Sequence, residues 1–198
     1  MLLPNQLTVL RIILTPVFFF LFMSDLPVLK QISAVVFIIA AVTDWYDGWL
    51  ARKFNYITKW GKFLDPLADK ILTSAAFIAF VMMGVLELWM VVIIMFRDFF
   101  ITFMRLYADI KGEGVATSIM AKWKTFFQMS FLYYLLLIYV LKTIDCIYKG
   151  NEQLFARLAD GQMVYYIMFL ITMLTVYTGL AYLYSNRGMI MRIFRHEK

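Results

Sequence analysis

Residues 44–69 read DWYDGWLARKFNYITKWGKFLDPLAD, and this stretch places aspartates at the facing ends of two apolar segments. Asp44 and Asp47 stand three positions apart near the end of the first segment. Asp65 and Asp69 stand four positions apart near the start of the second. On a helix, either spacing puts both side chains on one face. Because the connection is short, we predict antiparallel neighbouring helices on which the four carboxylates converge.

Four carboxylates inside a membrane need a partner. One charge at a helix centre costs on the order of 3 kcal/mol on insertion scales, and like charges repel each other. Bound divalent cations would offset both the cost of burying the charges and their mutual repulsion. We therefore predict that all four aspartates are ligands of Mg²⁺ or Mn²⁺. Two such ions, about 3.5–4 Å apart, are a common device in phosphoryl displacement. Cys146 and His196 are the only residues of their types, which argues against a zinc site and against a disulfide.

Composition predicts an all-α integral membrane protein. The hydrophobic set makes up 63% of the 198 residues and charged residues 16%, against about 45–50% and 25% in soluble domains. With no repeat or long polar linker, residues 1–198 form a single predicted domain. We predict about six transmembrane helices, joined by loops that include one at Thr143–Gly161. They lie near residues 8–24, 31–52, 62–84, 88–108, 123–143 and 162–184.

The distribution of positive charge predicts how the protein is oriented in the membrane. Six spans put both termini and alternate loops on one side, and that side carries most of the lysines and arginines. Positive charge marks the cytoplasmic face, so both termini and the 53–61 loop are predicted to be cytoplasmic, in the inner membrane. No cleavable signal peptide is expected at the N-terminus. The net charge of +6 follows from this topology and favours anionic lipid over nucleic acid as a partner.

Small residues accompany the aspartates. Gly48 and Ala51 lie one turn apart and could leave a strip of the second helix open to a ligand. Gly61 could do the same at the start of the third helix, where free N–H groups favour phosphate. Small residues also permit close helix packing. Beside four aspartates we favour ligand access.

The pattern Asp-x2-Asp-Gly-x2-Ala-Arg-x8-Gly-x3-Asp-x3-Asp resembles the signature of the CDP-alcohol phosphatidyltransferase family, and every fixed position is met. The resemblance implies a six-helix membrane fold and a metal site formed by the four aspartates. It further implies that Asp69 is the general base, whereas spacing alone does not choose between Asp69 and Asp65. Gly48, Arg52 and Gly61 would line the CDP pocket.

Residues 4–11, 61–70 and 122–128 are similar to one branch of that family, the bacterial phosphatidylglycerophosphate synthases. This resemblance implies CDP-diacylglycerol as donor and glycerol 3-phosphate as acceptor. It also implies a short amphipathic N-terminal helix that brings Asn5, Thr8 and Arg11 to the CDP headgroup.

Basic residues within and beside the spans suggest the acceptor. Arg97 and Arg105 are about two turns apart on the fourth span, and Lys122 and Lys124 stand where the fifth begins. Such a cluster suits an acceptor that carries a phosphate. Alternatively, Arg97 pairs with Asp98 or an active-site aspartate, and the lysines are cytoplasmic flank.

Other functions remain open at this point. Inositol phosphate is an alternative acceptor, while serine is disfavoured because it has no phosphate. A cation transporter could also hold carboxylates in the membrane, but transporters often show repeated halves, and the acidic motif occurs once. A homodimer is also left open, since no helix face is distinctive enough to identify an interface.

Overall fold

The computed structural model describes the backbone of residues 3–54, 59–111 and 118–188, and the side chains of 7–43, 64–111 and 118–188. Every regular element within these ranges is an α-helix, which confirms the all-α prediction. The helices are α1 Leu3–Met23, α2 Pro27–Phe54, α3 Lys59–Met82, α4 Leu88–Ile110, α5 Ile119–Leu141, α6 Asp145–Tyr148, α7 Glu152–Leu158 and α8 Gly161–Ser185.

Each of the six predicted apolar stretches corresponds to one long helix, although three of them run one or two residues past its end. Local chemistry sets several helix ends. Ser118 accepts a hydrogen bond from the Ala121 N–H at 3.2 Å at the start of α5. Asp160 does the same for the Met163 N–H at 3.0 Å at the start of α8. These side chains satisfy N–H groups that have no partner within a helix. Gly84, with φ of +71°, allows the tight turn between α3 and α4.

Two local predictions are wrong. The short N-terminal helix is not a separate element, because α1 runs without interruption from Leu3 to Met23. The predicted loop at Thr143–Gly161 contains α6 and α7. The rings of Tyr148 and Phe155 pack 5.6 Å apart and give this segment a small apolar core, which a search for long apolar runs does not detect.

The core of the bundle is built largely from aromatic side chains. Helix α1 packs along α2 and α3, α4 packs along α3 and α8, and α5 contacts α8 and α2. Phe18 meets Phe37 at 4.9 Å between ring centroids, and Phe22 meets Phe80 at 5.3 Å in an edge-to-face arrangement. These four rings are buried, so they join the first three helices into one layer.

The outer surface of the bundle is strongly apolar. Phe20, Phe96 and Leu170 are among the large apolar side chains that point outward. Within the described residues, α5 and the α7–α8 stretch Glu152–Ser185 are long and apolar enough to cross a membrane, and Leu7–Met23 and Pro27–Thr43 are shorter apolar helices. Lipid would solvate such a surface without the cost that water imposes.

Polar side chains gather inside the bundle toward one end. Thr8, near the start of α1, contacts Asp65, near the start of α3. Lys124, near the start of α5, contacts Asp98 in the middle of α4. The first contact places the starts of α1 and α3 on the same side, and helices that alternate in direction bring the start of α5 to that side as well.

Candidate active site

Asp65 and Asp69 lie one turn apart on α3, and both are half-buried. The hydroxyl of Thr8, on α1, donates a hydrogen bond to Oδ1 of Asp65. Lys70 Nζ lies 3.3 Å from Oδ2 of Asp69. Two carboxylates on one helix face, with only oxygen donors, fit a hard divalent cation.

The other half of the predicted metal site lies outside the described side chains. The backbone puts Asp44 and Asp47 in the last turns of α2, across the α2–α3 connection from Asp65. Among the side chains that the structure describes, no group of three or more His, Cys, Asp or Glu could hold a metal ion. Convergence of all four carboxylates therefore stays a prediction.

Most residues predicted to contact the CDP-lipid also lie outside the described side chains, namely Asn5, Gly48, Ala51, Arg52 and Gly61. Two members of that set are described. Thr8 is fully buried and Arg11 is 1% exposed, both on the inner face of α1. Since Thr8 donates to Asp65, its hydroxyl supports a predicted metal ligand.

A cavity of about 390 Å³ opens beside this acidic pair, between α3, α4 and α5. We call it the basic cavity, after the cationic side chains in its wall. The described lining includes Lys70, Arg97, Arg105 and Lys122, with Asp98 as its single carboxylate. Its size lies in the range of small-ligand pockets, about 300–1,000 Å³. The excess of positive charge favours an anion.

Lys70 joins the acidic pair to the basic cavity. Its ammonium contacts Asp69 while its side chain forms part of the cavity wall. The Lys70 side chain therefore connects the cavity wall to the carboxylate of Asp69. Lys70 was not among the predicted site residues. Its position directly after Asp69, as a charge within an apolar span, is the signal that could have marked it.

The carboxylate of Asp98 is the centre of a buried network. Its Oδ1 accepts from Lys124 Nζ at 2.5 Å and from Arg97 Nη1 at 3.1 Å. Its Oδ2 accepts from Gln128 Nε2 at 3.2 Å. Arg97 Nη2 also donates to Thr178 Oγ1 of α8 at 3.1 Å. The sequence offered the Arg97–Asp98 pair as an alternative. Gln128 stood in the 122–128 stretch that is similar to the phosphatidylglycerophosphate synthases, without a role of its own, and Thr178 was not marked.

Three of the four predicted acceptor-binding residues line the cavity, and one does not. Arg97, Arg105 and Lys122 line the basic cavity. Lys124 lies behind the wall with its side chain fully buried, and its charge is compensated by Asp98. Arg105 also stacks over the Tyr182 ring, with its guanidinium carbon 5.7 Å from the ring centroid. The two arginines share one face of α4, as their spacing predicts.

Comparison with known proteins identifies the family. The family described as CDP-alcohol phosphatidyltransferase matches residues 1–181. A Bacillus subtilis (strain 168) protein named CDP-diacylglycerol--glycerol-3-phosphate 3-phosphatidyltransferase is 42% identical over 139 residues, which is 64% of this chain and 72% of the relative. Proteins of that name from Rickettsia bellii (strain RML369-C) and Rickettsia typhi (strain ATCC VR-144 / Wilmington) are 33% and 31% identical over 176 residues, which is 89% of this chain and 92% and 93% of the relatives. Because the match spans nearly the whole chain, this membrane protein belongs to the CDP-alcohol phosphatidyltransferase family.

Proposed function

We propose that this chain transfers a phosphatidyl group from CDP-diacylglycerol to sn-glycerol 3-phosphate, giving phosphatidylglycerophosphate and CMP. Family membership supports the reaction class, and the names of the relatives support the acceptor. The observation that carries the proposal is the contact of Lys70 with Asp69 at the edge of the basic cavity. This contact supports a site for an anionic acceptor near a carboxylate that would take its proton.

The acceptor would bind with its phosphate in the basic cavity. Arginine guanidinium groups suit phosphate because their planar N–H groups can donate in pairs. Arg97, Arg105 and Lys122 would hold the phosphate, and Lys70 would help to orient the hydroxyl end toward Asp69. An acceptor held in this way loses part of its orientational freedom on binding, so less entropy is lost when the reaction begins.

The reaction would be a direct in-line displacement. The acceptor hydroxyl oxygen forms a bond to the phosphorus that carries diacylglycerol, and the bond from that phosphorus to the CMP oxygen breaks. Asp69 takes the hydroxyl proton, as the family resemblance implies, and CMP leaves with the bonding electron pair. Positioning and charge stabilisation supply most of the catalysis in such transfers.

Asp44, Asp47, Asp65 and Asp69 would hold the metal, with two Mg²⁺ or Mn²⁺ ions in each site. When bound, these ions neutralise the charge that develops on the diphosphate. Thr8 would hold Asp65 in its orientation.

The CDP-lipid would lie across the ends of α1 and α2, with its headgroup against residues of the family pattern and of α1. We assign this role to Asn5, Thr8, Arg11, Gly48, Ala51, Arg52 and Gly61. Six helices would span the inner membrane with this end of the bundle in the cytoplasmic leaflet. Both the CDP-lipid and a water-soluble acceptor can reach the site from there.

An acceptor assay tests the function. The protein purified in detergent is supplied with CDP-diacylglycerol and Mg²⁺, and CMP release is measured with glycerol 3-phosphate, inositol phosphate or serine. We expect release with glycerol 3-phosphate and only background with the other two. Preferential release with inositol phosphate or serine would overturn the acceptor assignment, and no release with any acceptor would overturn the enzymatic proposal.

A further inference from the structure

Arg97, in the wall of the basic cavity, is held from two sides. On one side, Asp98 accepts from Nη1 at 3.1 Å. On the other, Thr178 accepts from Nη2 at 3.1 Å. An arginine has five N–H donors, so these contacts fix the plane of the guanidinium and leave further donors for a ligand.

The carboxylate of Asp98, which holds Arg97 on one side, is itself fixed in its orientation. Lys124, which is fully buried, donates to the oxygen that Arg97 contacts, and Gln128 donates to the other. With both oxygens engaged, the carboxylate has little freedom to rotate. The charge of Lys124 also offsets that of Asp98, so Arg97 keeps its positive charge available to an anion.

Helix α8 is shaped to receive the arginine. The Thr178 hydroxyl donates within α8, with the Leu174 carbonyl at 2.8 Å and the Thr175 carbonyl at 3.1 Å. Its oxygen can therefore serve as the acceptor for Arg97. At the next position, a Cβ on Gly179 would lie 3.3 Å from Cγ of Arg97. That separation is tighter than ordinary van der Waals contact, so an alanine there would push against the arginine stem.

We propose that Asp98, Thr178 and Gly179 are positioning residues that hold Arg97 ready for the acceptor phosphate. None of the three needs to touch the substrate in this role. The inference rests on the proposed function, because it requires the phosphate to bind in the basic cavity. A preorganised arginine binds its ligand more tightly than a mobile one, since its side-chain freedom is already lost.

Thr178→Val is the sharpest test, because valine keeps the shape of threonine and removes the acceptor oxygen. We expect KM for glycerol 3-phosphate to rise by about 3- to 10-fold, the size expected when one ordered side chain is released. KM for CDP-diacylglycerol and kcat should change by less than about twofold. Thr178→Ser restores the hydroxyl and should bring the acceptor KM back toward the wild-type value.

Thr172→Val is the matched control. Thr172 is equally buried on α8, and its hydroxyl donates to the Met168 carbonyl at 2.8 Å. It lies six positions from Thr178, about 9 Å along the helix axis. We expect no change in the acceptor KM. Equal rises in Thr172→Val and Thr178→Val would overturn the inference, because they would indicate a general packing effect.

Arg105→Ala separates failure of this inference from failure of the proposed function. If Arg105→Ala raises the acceptor KM and Thr178→Val does not, the cavity binds the acceptor but the positioning role is wrong. If neither substitution changes the acceptor KM, the assignment of the cavity to the acceptor phosphate falls as well. Gly179→Ala provides a second variant, for which we expect a rise in acceptor KM without a change in KM for CDP-diacylglycerol.

Discussion

At the scale of single residues, the hydroxyl of Thr8 has two candidate partners, a metal ligand and the CDP-lipid. In the structure the Thr8 hydroxyl donates a hydrogen bond to Asp65, whereas the sequence resemblance implies that it contacts the lipid headgroup. We predict that Thr8→Val raises the Mg²⁺ concentration needed for half-maximal CMP release, because Asp65 loses a hydrogen bond that orients it. Titration of Mg²⁺ at saturating CDP-diacylglycerol measures this requirement.

The control for Thr8→Val lies on the same helix. Thr15 is also buried, and its hydroxyl donates to the Arg11 carbonyl at 2.9 Å. Thr15→Val should leave the Mg²⁺ requirement unchanged. A higher KM for CDP-diacylglycerol with an unchanged Mg²⁺ requirement in Thr8→Val would assign the hydroxyl to the lipid.

The buried pair of Asp98 and Lys124 should contribute strongly to stability. Removing one partner of a buried ion pair typically costs about 3–5 kcal/mol, because the other charge stays buried without compensation. We therefore expect Asp98→Asn to lower the Tm in detergent substantially. Adding Lys124→Met should recover part of the loss, since the unpaired ammonium is removed.

An exposed pair of the same type is the control. Asp145, at the start of α6, and Lys149, directly after its end, are joined at 2.8 Å, with side chains 81% and 72% exposed. The hydrogen bond from Lys149 to Asp145 raises the pKa of the lysine, but water screens such pairs. Asp145→Asn should leave the Tm unchanged. Equal losses in Asp145→Asn and Asp98→Asn would contradict the role assigned to burial.

At the scale of secondary structure, apolar run length and charge position predicted the six long helices well. Asp65 with Asp69, and Arg97 with Arg105, share helix faces because spacing along a helix determines direction. The hydrogen-bond partners of the Arg97–Asp98 pair could not be predicted in this way. Gln128 and Thr178 come from other helices, and only the packing of α4 against α5 and α8 brings them together.

The short helices α6 and α7 were missed because a few turns of mixed composition resemble a loop in sequence. A hydrogen bond from α5 helps to hold α7. Tyr134 of α5 donates its hydroxyl to the carbonyl of Leu158, the last residue of α7, at 2.5 Å. This bond satisfies a carbonyl that the helix itself leaves without a partner.

We predict that Tyr134→Phe destabilises the protein by about 0.5–1.5 kcal/mol, the usual net value of one hydrogen bond. Its kcat and both KM values should stay unchanged, because α7 lies at the opposite end of the bundle from the basic cavity. Thermal unfolding in detergent and the CMP assay measure the two effects. Tyr166→Phe, at an exposed position on α8, should change neither, and a loss of activity in Tyr134→Phe would link α7 to the site.

At the scale of the whole molecule, the single cysteine can report the orientation in the membrane. Cys146 is free and exposed on α6, at the end of the bundle opposite the basic cavity. If the site faces the cytoplasm, Cys146 faces outward. A membrane-impermeant maleimide added to intact cells, with access through any outer membrane provided, should then label it without lysis.

The control for the labelling experiment lies at the opposite end of the bundle. Lys111 is exposed at the end of α4, so Lys111→Cys combined with Cys146→Ser moves the only thiol to the side of the site. We expect this variant to be labelled only after the inner membrane is opened. The reverse pattern would place the basic cavity outside, where CDP-lipid and acceptor made in the cytoplasm could not reach it directly, and the proposed orientation would then be wrong. Both thiols test the orientation of the protein in the membrane. Because the helices alternate in direction, the thiols at positions 146 and 111 must face different compartments.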